Sequence, residues 1–453
     1  MENNLPEGWA TSTLQELCNM VYGKGLLTKF LTEDGYSVFG ANGIIGKYSK
    51  YIYEKEQIII SCRGAASGVI HKTVPFAFVT SNSIVLQLNS NEIDLDYFKH
   101  SLASVDRSKI VTGSAQPQIT IDNLNDLEIP IAPLSEQLRI VAKLEAVIKK
   151  IENNKQRLEK IPKLLKRFRQ SVLATAVSGK LTESWRTDNG IDEEWEYMKA
   201  TDACKTVASG STPKNNPFFE KEEIPYLKVY NIVNQKIDFF YKPQYIKRAI
   251  HEKELKRCKV YPNDVLINIV GPPLGKVALM PDTFPEWNIN QAIVLFRPKE
   301  FLSSIFLYYI LRDGKQIKDI ELELRGTAGQ LNISLTQCRN FDFPIPKPEE
   351  QNEIIRKVEK LFAFADKLEV RYTKAKQMID KLPQSLLAKA FRGELVPQDS
   401  EDEPASELLE RIKAKKEKLA AEKEGKKAKE YSIEKNHVKI AAEKKVKYKK
   451  VNA

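Results

Sequence analysis

Apolar residues recur at alternating steps of four and three positions along two separate stretches of the chain. The first stretch carries them at Ile140, Leu144, Val147, Ile151, Leu158, Ile161, Leu165, Phe168 and Val172. The second carries them at Ile354, Val358, Leu361, Ala365, Leu368, Tyr372, Ala375, Ile379, Leu382 and Leu386. Charged residues fill most of the intervening positions. This spacing predicts two long helices that pack their apolar seams together as an intramolecular coiled coil.

The two stretches belong to a longer internal repeat. Pro130, Glu136 and Gln137 recur 214 positions later as Pro344, Glu350 and Gln351. The same spacing relates Gln116 to Gln330, upstream of the helices. The duplication therefore includes the region that precedes each helix, and it predicts one module in two copies.

Strand-like runs, glycine-rich turns and short helical segments alternate before each seam, which predicts mixed α+β regions. The ends of a compact domain often lie close together, so the second region should turn one long helix back along the other. The predicted fold class is α+β, with two mixed α/β domains separated by a pair of long antiparallel coiled-coil helices and a pseudo-two-fold arrangement. Pro162 and Pro383 fall inside the seams and predict a kink or a break at each position.

Five segments follow from these patterns. The predicted boundaries are 1–132 for the first globular domain, 133–185 for the first spacer helix, 186–342 for the second globular domain, 343–396 for the second spacer helix and 397–453 for a charged, helical or partly disordered tail.

The formal net charge of +11 favours an anionic partner, and nucleic acid is the commonest such partner. Much of the excess positive charge lies in residues 401–453. A charge run of this kind is typical of a solvated chain end, and an additional phosphate contact is the alternative.

Several functional classes find no support in the sequence. The five cysteines and four histidines are scattered, so we expect neither a disulfide framework nor a metal site. No secretory signal or bilayer-length apolar run is present, which predicts a soluble, cytoplasmic protein. Residues 40–48, GANGIIGKY, lack the spacing and hydroxyl of a phosphate loop. A binding protein is therefore favoured over an enzyme.

An ordered set of motifs resembles the specificity subunit of type I restriction-modification enzymes over about residues 5–415. These motifs are LPEGW, VYGKG, GSAQPQI, IPIAPLSEQ, SVLATAVSGKL, ASGSTP, GTAGQLNIS and SLLAKAFRGELVPQDSEDEPASELLERI. The resemblance implies two target-recognition domains, each reading one half of a bipartite, asymmetric site in double-stranded DNA. It also implies two methyltransferase subunits docked on the helices, together with restriction subunits.

The resemblance further implies a non-catalytic chain without a cofactor, in a prokaryotic cytoplasm. S-adenosylmethionine, ATP and Mg²⁺ would belong to the partner subunits. The candidate DNA-binding residues are Lys24, Asn42, Lys47, Arg63, Asn82, Gln116, Ser211, Lys214, Lys228, Asn231, Arg325 and Gln330. The candidate partner-docking residues are Ile140, Leu144, Val147, Ile151, Leu158, Ile354, Val358, Leu361, Leu368 and Tyr372.

Two alternatives remain open at the level of sequence. The helices could form a scaffold that braces two protein-binding domains. The chain could also be the specificity subunit of a stand-alone modification methyltransferase that has no restriction partner.

Overall fold

The computed structural model describes residues 5–113, 116–215, 217–221, 223–323 and 332–418. These residues form two units: unit 1 lies within Met1–Arg157 and Ala375–Ala453, and unit 2 is Leu158–Lys374. Each unit takes in parts of both long helices, whereas the sequence predicts the helices as segments of their own. Among the described residues, no helix has both the length and the apolar character needed to cross a bilayer.

Unit 1 is built around two small sheets. Its strands are β1 (Ala10–Thr13), β2 (Cys18–Tyr22), β3 (Tyr36–Gly40), β4 (Gly43–Tyr48), β5 (Ile58–Ser61), β6 (Ile70–Lys72), β7 (Phe78–Val79), β8 (Ser83–Leu88) and β9 (Glu128–Ile131). Its helices are α1 (Leu14–Leu17), α2 (Leu95–Ser104), α3 (Ile121–Asn125) and most of α4 (Leu134–Glu159). The main sheet has the order β2-β8-β5-β6, the second sheet has the order β4-β3-β7, and β1 pairs with β9.

Unit 2 repeats this plan with additions. Its helices are α5 (Ile161–Val177), α6 (Glu183–Asp188), α7 (Ala200–Ala203), α8 (Arg248–Glu252), α9 (Ser304–Asp313), α10 (Lys315–Glu323), α11 (Leu335–Arg339) and the first part of α12 (Pro348–Ala390). Its strands are β10 (Glu196–Lys199), β11 (Cys204–Ser209), β12 (Ile224–Leu227), β13 (Ile232–Val233), β14 (Lys236–Ile237), β15 (Tyr245–Ile246), β16 (Lys259–Val260), β17 (Val265–Asn268), β18 (Val277–Leu279), β19 (Trp287–Ile289), β20 (Ile293–Pro298) and β21 (Asp342–Ile345).

The main sheet of unit 2 matches that of unit 1 strand by strand, and the second sheet has one strand more, in the order β15-β12-β19-β16. The main sheet has the order β11-β20-β17-β18, and β10 pairs with β21 as β1 pairs with β9. The second sheet joins β12 to β19 in parallel, as β3 joins β7 in unit 1. The buried centres of these strands are rich in β-branched residues, which suit a pleated surface covered on its apolar side.

A glutamine of the repeat, Gln137 in α4 and Gln351 in α12, makes equivalent hydrogen bonds in the two units. The Gln137 side chain accepts a hydrogen bond from the backbone N–H of Asp94 at 2.9 Å and donates one to the carbonyl of Ala132 at 2.8 Å. Gln351 accepts from the N–H of Ser303 and donates to the carbonyl of Pro346, each at 2.8 Å. Asp94 and Ser303 are the N-cap residues of α2 and α9. One buried amide thus connects the start of a long helix to the cap of a module helix in each unit.

The long helices run antiparallel within each unit, as the sequence predicts. In unit 1, Lys155 pairs with Asp380 at 3.0 Å, and Ile140 shares a core with Leu387 and Ala390. In unit 2, the guanidinium of Arg169 lies 2.6 Å from Asp366 and 2.7 Å from Glu369, while Lys357 donates to the carbonyl of Leu181 at 3.1 Å. In both units the residue numbers rise along one helix as they fall along the other.

The two prolines have different effects. Helix α4 ends at Glu159 and α5 begins at Ile161, so Pro162 lies in a first turn, where its missing N–H costs little. Helix α12 continues through Pro383 from Pro348 to Ala390. A break is therefore present at Pro162, and at Pro383 the helix is not broken, so only a kink remains of the prediction for that proline.

The C-terminal segment packs into unit 1 as far as the structure describes it. Residues 405–418 are helical, and Ala405, Leu408 and Ile412 are buried in the same core as Leu14 and Leu17. Arg411 pairs with Glu92 at 2.6 Å, and the N–H of Ala405 donates to the carbonyl of Gly8 at 2.8 Å. This part of the predicted charged tail is a structural element of the first module.

Replacing Leu408 with alanine is expected to lower the free energy of unfolding of unit 1 by about 2–5 kcal/mol, because a fully buried leucine leaves a cavity. Denaturant unfolding of the full chain measures this loss. Ser406→Ala, on an exposed position of the same helix, is the matched control. Equal stability of the two variants would contradict the packed position of Leu408.

Candidate nucleic-acid interface

The loops of unit 1 that carry polar and basic residues leave the main sheet at one edge. Strand β2 ends beside the start of β8, where Tyr22 pairs with Ile84. Strand β5 ends at the same place, where Ser61 pairs with Ser83. Segments 23–25, 61–64 and 80–83 follow or precede these ends, and segments 40–43 and 116–118 are hydrogen-bonded to them. We call these five segments loop edge 1.

Backbone hydrogen bonds connect the members of loop edge 1. The N–H of Lys24 donates to the carbonyl of Val79, and that of Cys62 donates to the carbonyl of Asn82, each at 2.9 Å. The N–H of Gly64 donates to the carbonyl of Pro117 at 2.9 Å, and the hydroxyl of Ser61 donates to the carbonyl of Ala41. These bonds hold the backbone while the side chains point outward.

Five of the predicted DNA-binding residues therefore lie on one edge, and all of them are exposed. They are Lys24, Asn42, Arg63, Asn82 and Gln116. Lys47 is also exposed, but it lies along β4 with its ammonium 3.7 Å from the carboxylate of Asp34. No hydrogen bond or ion pair among the described residues joins the Lys47 side chain to loop edge 1.

A glycine permits the closest approach within this edge. A Cβ placed on Gly23 would lie 2.2 Å from the carbonyl oxygen of Thr80 and 2.5 Å from that of Val79. Both atoms are backbone, so a side chain at this position would push the two loops apart.

The positive charge of loop edge 1 comes from Lys24 and Arg63. Burial raises the pKa of the neighbouring Cys62 thiol, so this thiol is neutral and adds no negative charge.

Unit 2 has the equivalent edge, built from segments 209–212, 227–228, 268–270 and 289–293, which we call loop edge 2. The N–H of Gly210 donates to the carbonyl of Ile293 at 2.8 Å, and the N–H of Asn290 donates to that of Leu227 at 3.0 Å. A Cβ on Gly210 would lie 2.1 Å from the carbonyl oxygen of Asn290. The same close approach of two loops thus occurs in both modules.

The predicted residues of unit 2 have mixed positions. Ser211 is half-buried beside Gly210, and its N–H donates to the carbonyl of Ile289 at 3.1 Å. Lys214 is exposed, and its backbone N–H donates to the carboxylate of Glu254 at 2.7 Å. Lys228 holds its ammonium 4.4 Å from the ring centre of Phe218, which orients a positive charge over an aromatic face.

The prediction for Asn231 is wrong. This side chain is 1% exposed, and its amide donates to the carbonyls of Asp238 at 3.1 Å and Tyr241 at 3.0 Å. Its oxygen accepts from the N–H of Lys228 at 3.0 Å, so the amide closes a turn and has no free atom for DNA. Arg325 and Gln330 lie outside the described residues.

Loop edge 2 also contains residues that the sequence reasoning missed. Thr212 and Gln291 are both exposed, and the hydroxyl of Thr212 donates to the side-chain oxygen of Gln291. Residues 81–86, SNSIVL, and 290–295, NQAIVL, could have revealed this position, since both end in the same buried IVL strand after a polar turn.

The residues named for the predicted partner-docking helices are mostly internal. Ile140, Leu144, Ile151, Ile354 and Val358 are buried within the chain itself, so these side chains offer no surface to another subunit, and docking on the helices stays a prediction. Val147, Leu158, Leu361, Leu368 and Tyr372 are half-buried. The large apolar side chains that these helices do expose are Leu134, Leu138, Leu164, Phe364, Val370, Met378 and Leu382.

Two copies of one α+β module, each presenting basic and amide side chains from a single sheet edge, define a two-module recognition protein. The family model for the type I restriction modification DNA specificity domain matches residues 6–163 and 192–375. The chain belongs to this family, which confirms the resemblance identified from the motifs.

Individual relatives match over nearly the whole chain. The type I restriction enzyme StySPI specificity subunit of Salmonella potsdam is 30% identical over 462 residues, covering 91% of this chain and 96% of the relative. The type I restriction enzyme EcoKI specificity subunit of Escherichia coli (strain K12) is 28% identical over 461 residues, with the same coverage of both chains.

Solved structures share the fold. The HsdS subunit from Thermoanaerobacter tengcongensis is 20% identical with a TM-score of 0.56, covering 86% of this chain and 98% of that one. A chain from a type I R-M system, in a structure concerned with complex assembly and conformational transition, has a TM-score of 0.63 at 20% identity. This second match covers 86% of this chain and 99% of the other. The predicted α+β class with long helices is confirmed.

Proposed function

We propose that this chain is the DNA specificity subunit of a type I restriction-modification complex, and that each unit binds one half of a bipartite site in double-stranded DNA. The observation that carries the proposal is the pair of loop edges. Amide and basic side chains of the kinds found there donate to phosphates and to base edges. The rigid backbone bonds beneath them fix where those donors point.

The differences between the two edges favour an asymmetric site. Loop edge 1 presents Lys24, Arg63 and Asn82, whereas loop edge 2 presents Thr212 and Gln291 at corresponding turns. A shared frame with different side chains suits two half-sites of different sequence.

The long helices are the proposed docking surface for two methyltransferase subunits, with restriction subunits joining the assembly. The exposed apolar residues Leu138, Leu164, Phe364, Val370 and Met378 are the candidate contacts, because they are accessible and because Phe and Met are enriched at protein interfaces. The methyl transfer, ATP use and Mg²⁺ chemistry would belong to those partners, and this chain would act without catalysis.

Replacing Lys24 and Arg63 with methionine, one at a time, is expected to weaken DNA binding about tenfold at physiological salt. Each substitution should reduce the slope of log K against log salt by about 0.9 if one phosphate contact is lost, and relaxed discrimination at one base would indicate a base contact instead. Fluorescence anisotropy with the chain bound to its methyltransferase partners measures both quantities.

Lys99→Met is the matched control for these variants. Lys99 lies on α2 near Asp96, at the opposite end of the sheet from loop edge 1, where Lys72 pairs with that aspartate. DNA binding that is weak, independent of salt and unchanged in every variant would contradict the proposal and favour the scaffold that braces protein-binding domains.

A further inference from the structure

A buried histidine in unit 2 faces two carboxylates that lie far from it in the sequence. His251, in helix α8, has no exposed surface, and its Nε2 atom has no hydrogen-bond partner among the described residues. The Oε2 atom of Glu286 lies 3.5 Å from Nε2, and the Oε1 atom of Glu252 lies 3.9 Å away. These three side chains are brought together by α8 and by the turn that precedes β19.

A second buried side chain determines which ring nitrogen carries the proton. The Nδ1 atom of His251 lies 2.8 Å from the side-chain oxygen of Asn288. The Asn288 amide nitrogen donates to the carbonyl of Cys258 at 2.9 Å, with the carbonyl of Leu255 at 3.4 Å, so its oxygen must face the ring. An amide oxygen can only accept, and Nδ1 of the neutral ring therefore donates to it. This leaves a lone pair on Nε2 of the neutral ring, 3.5 Å from the nearer carboxylate oxygen.

This arrangement is the one that metal-ligating histidines adopt, with one nitrogen held by an outer hydrogen bond and the other left free to coordinate. Bonds of about 2.0–2.2 Å from a central Zn²⁺ to nitrogen and oxygen ligands place tetrahedral neighbours about 3.4 Å apart. The spacings of 3.5 and 3.9 Å need only small side-chain movements to meet this requirement. The ligand atoms of all three residues lie within 4.8 Å of one another.

Two cationic side chains already contact the same carboxylates. Lys259 lies 2.7 Å from Oε1 of Glu252, and Arg248 lies 3.1 Å from Oε2 of Glu286. Arg248 also lies 3.4 Å from Glu223, so it keeps an ion-pair partner when Glu286 is withdrawn. Three carboxylates and two cations leave the cluster with a net negative charge when His251 is neutral, and this favours a divalent cation.

We propose that His251, Glu252 and Glu286 form a binding site for a divalent transition-metal ion of the Zn²⁺ class. The ion displaces Lys259 and Arg248 from the ligand oxygens, and one water or a second carboxylate oxygen completes its coordination. Bound there, the metal connects α8 to the turn before β19. The chain segment after α8 holds Glu254, which accepts from the N–H of Lys214, so the metal also braces that loop.

Nothing in the sequence spacing of His251 and Glu286 resembles a ligand motif, so a metal site here is not predicted from sequence. Only the fold brings the three residues together. Among the described residues, no second group of three such ligands is present, so the proposal predicts one ion per chain.

Binding of Co²⁺ to the untagged, chelator-treated full chain tests the proposal. We expect one equivalent to bind and to produce visible absorption bands of a low-symmetry nitrogen and oxygen site, without the strong near-ultraviolet bands of thiolate ligation, since the described cysteines are buried and free. Zn²⁺ should displace the Co²⁺ and raise the thermal midpoint of unit 2, because a ligand that binds only the folded state stabilises it.

Variants separate this site from adventitious binding. Glu286→Gln and Glu252→Gln should each weaken Co²⁺ binding at least tenfold, and Lys259→Met should tighten it several-fold because a competing cation is removed. Glu254→Gln changes the charge on the same segment without removing a ligand and should leave the affinity unchanged. Far-ultraviolet circular dichroism verifies that each variant is folded.

Three results would overturn the proposal. The first is the absence of stoichiometric Co²⁺ binding, and the second is equal affinity in the wild type, Glu286→Gln and Glu252→Gln chains. The third is weaker binding in Lys259→Met, which would show that the lysine supports the metal rather than competing with it.

Discussion

Gly23→Ala is expected to destabilise unit 1 by about 1–3 kcal/mol and to weaken DNA binding about tenfold or more, since the added methyl group overlaps two backbone carbonyls. The overlap with Thr80 and Val79 cannot be relieved by rotating a side chain. The loop that carries Lys24 must move away from the loop that carries Asn82. Anisotropy measurements of DNA binding, together with denaturant unfolding, follow the two effects separately.

Gly25→Ala is a close control, because a Cβ at Gly25 meets no atom within 4 Å. Gly25 lies in the same loop as Gly23, two residues away, and its replacement with alanine causes the same loss of backbone flexibility. In unit 2, Gly210→Ala should reproduce the defect, but for the other half-site only. If Gly23→Ala bound DNA as well as Gly25→Ala, the close approach of the two loops would not matter for recognition.

Glu350→Ala is expected to lower the stability of unit 2 by about 3–5 kcal/mol, because the buried carboxylate satisfies three donors at once. It accepts from the indole N–H of Trp195 at 2.9 Å, the hydroxyl of Thr182 at 2.6 Å and the guanidinium of Arg186 at 3.0 Å. Its removal leaves a partly buried cation and two other donors without their acceptor. Two-transition denaturant unfolding, which resolves the two units, measures the loss.

The equivalent substitution in unit 1 provides the control. Glu136 accepts from the indole N–H of Trp9 at 2.9 Å, and its other oxygen is buried without a partner among the described residues. Burial raises the pKa of Glu136, and the hydrogen bond from Trp9 only partly offsets this. A carboxyl group whose pKa is raised in the folded state contributes stability at pH values below its unfolded-state pKa. This contribution is lost as the pH rises through the folded-state pKa. Glu136→Ala should therefore cost much less than Glu350→Ala at pH 7, and equal costs would contradict the assigned roles.

The helices and the repeat could be predicted from sequence because both depend on periodic patterns that local chemistry enforces. The seam positions are buried or half-buried except Leu382, which is exposed. The same pattern does not identify the surface on which a partner would dock. A seam that is filled by the chain's own second helix cannot also face another subunit, so the docking residues had to be sought among exposed positions such as Phe364 and Met378.

The candidate DNA interface was only partly predictable. Glycine-rich polar loops of unit 1 were predictable as one cluster, because close approach of backbones requires glycine, as at Gly23 and Gly210. The position of Asn231 could not be inferred, since a polar side chain that closes a turn looks the same in sequence as one that reads a base. Likewise, the burial of Ala405, Leu408 and Ile412 was hidden by the charged residues around them.

The packing of the C-terminal helix has a consequence for biosynthesis. Unit 2 is a continuous stretch, Leu158–Lys374, and all residues of its described core lie within that range. The core of unit 1 includes Leu387, Leu408 and Ile412, which are synthesised long after its strands. On the ribosome, where domains generally fold as units, the second module therefore has its whole described core before the first, whose sheet lacks part of its apolar cover until residues 387–412 have been synthesised.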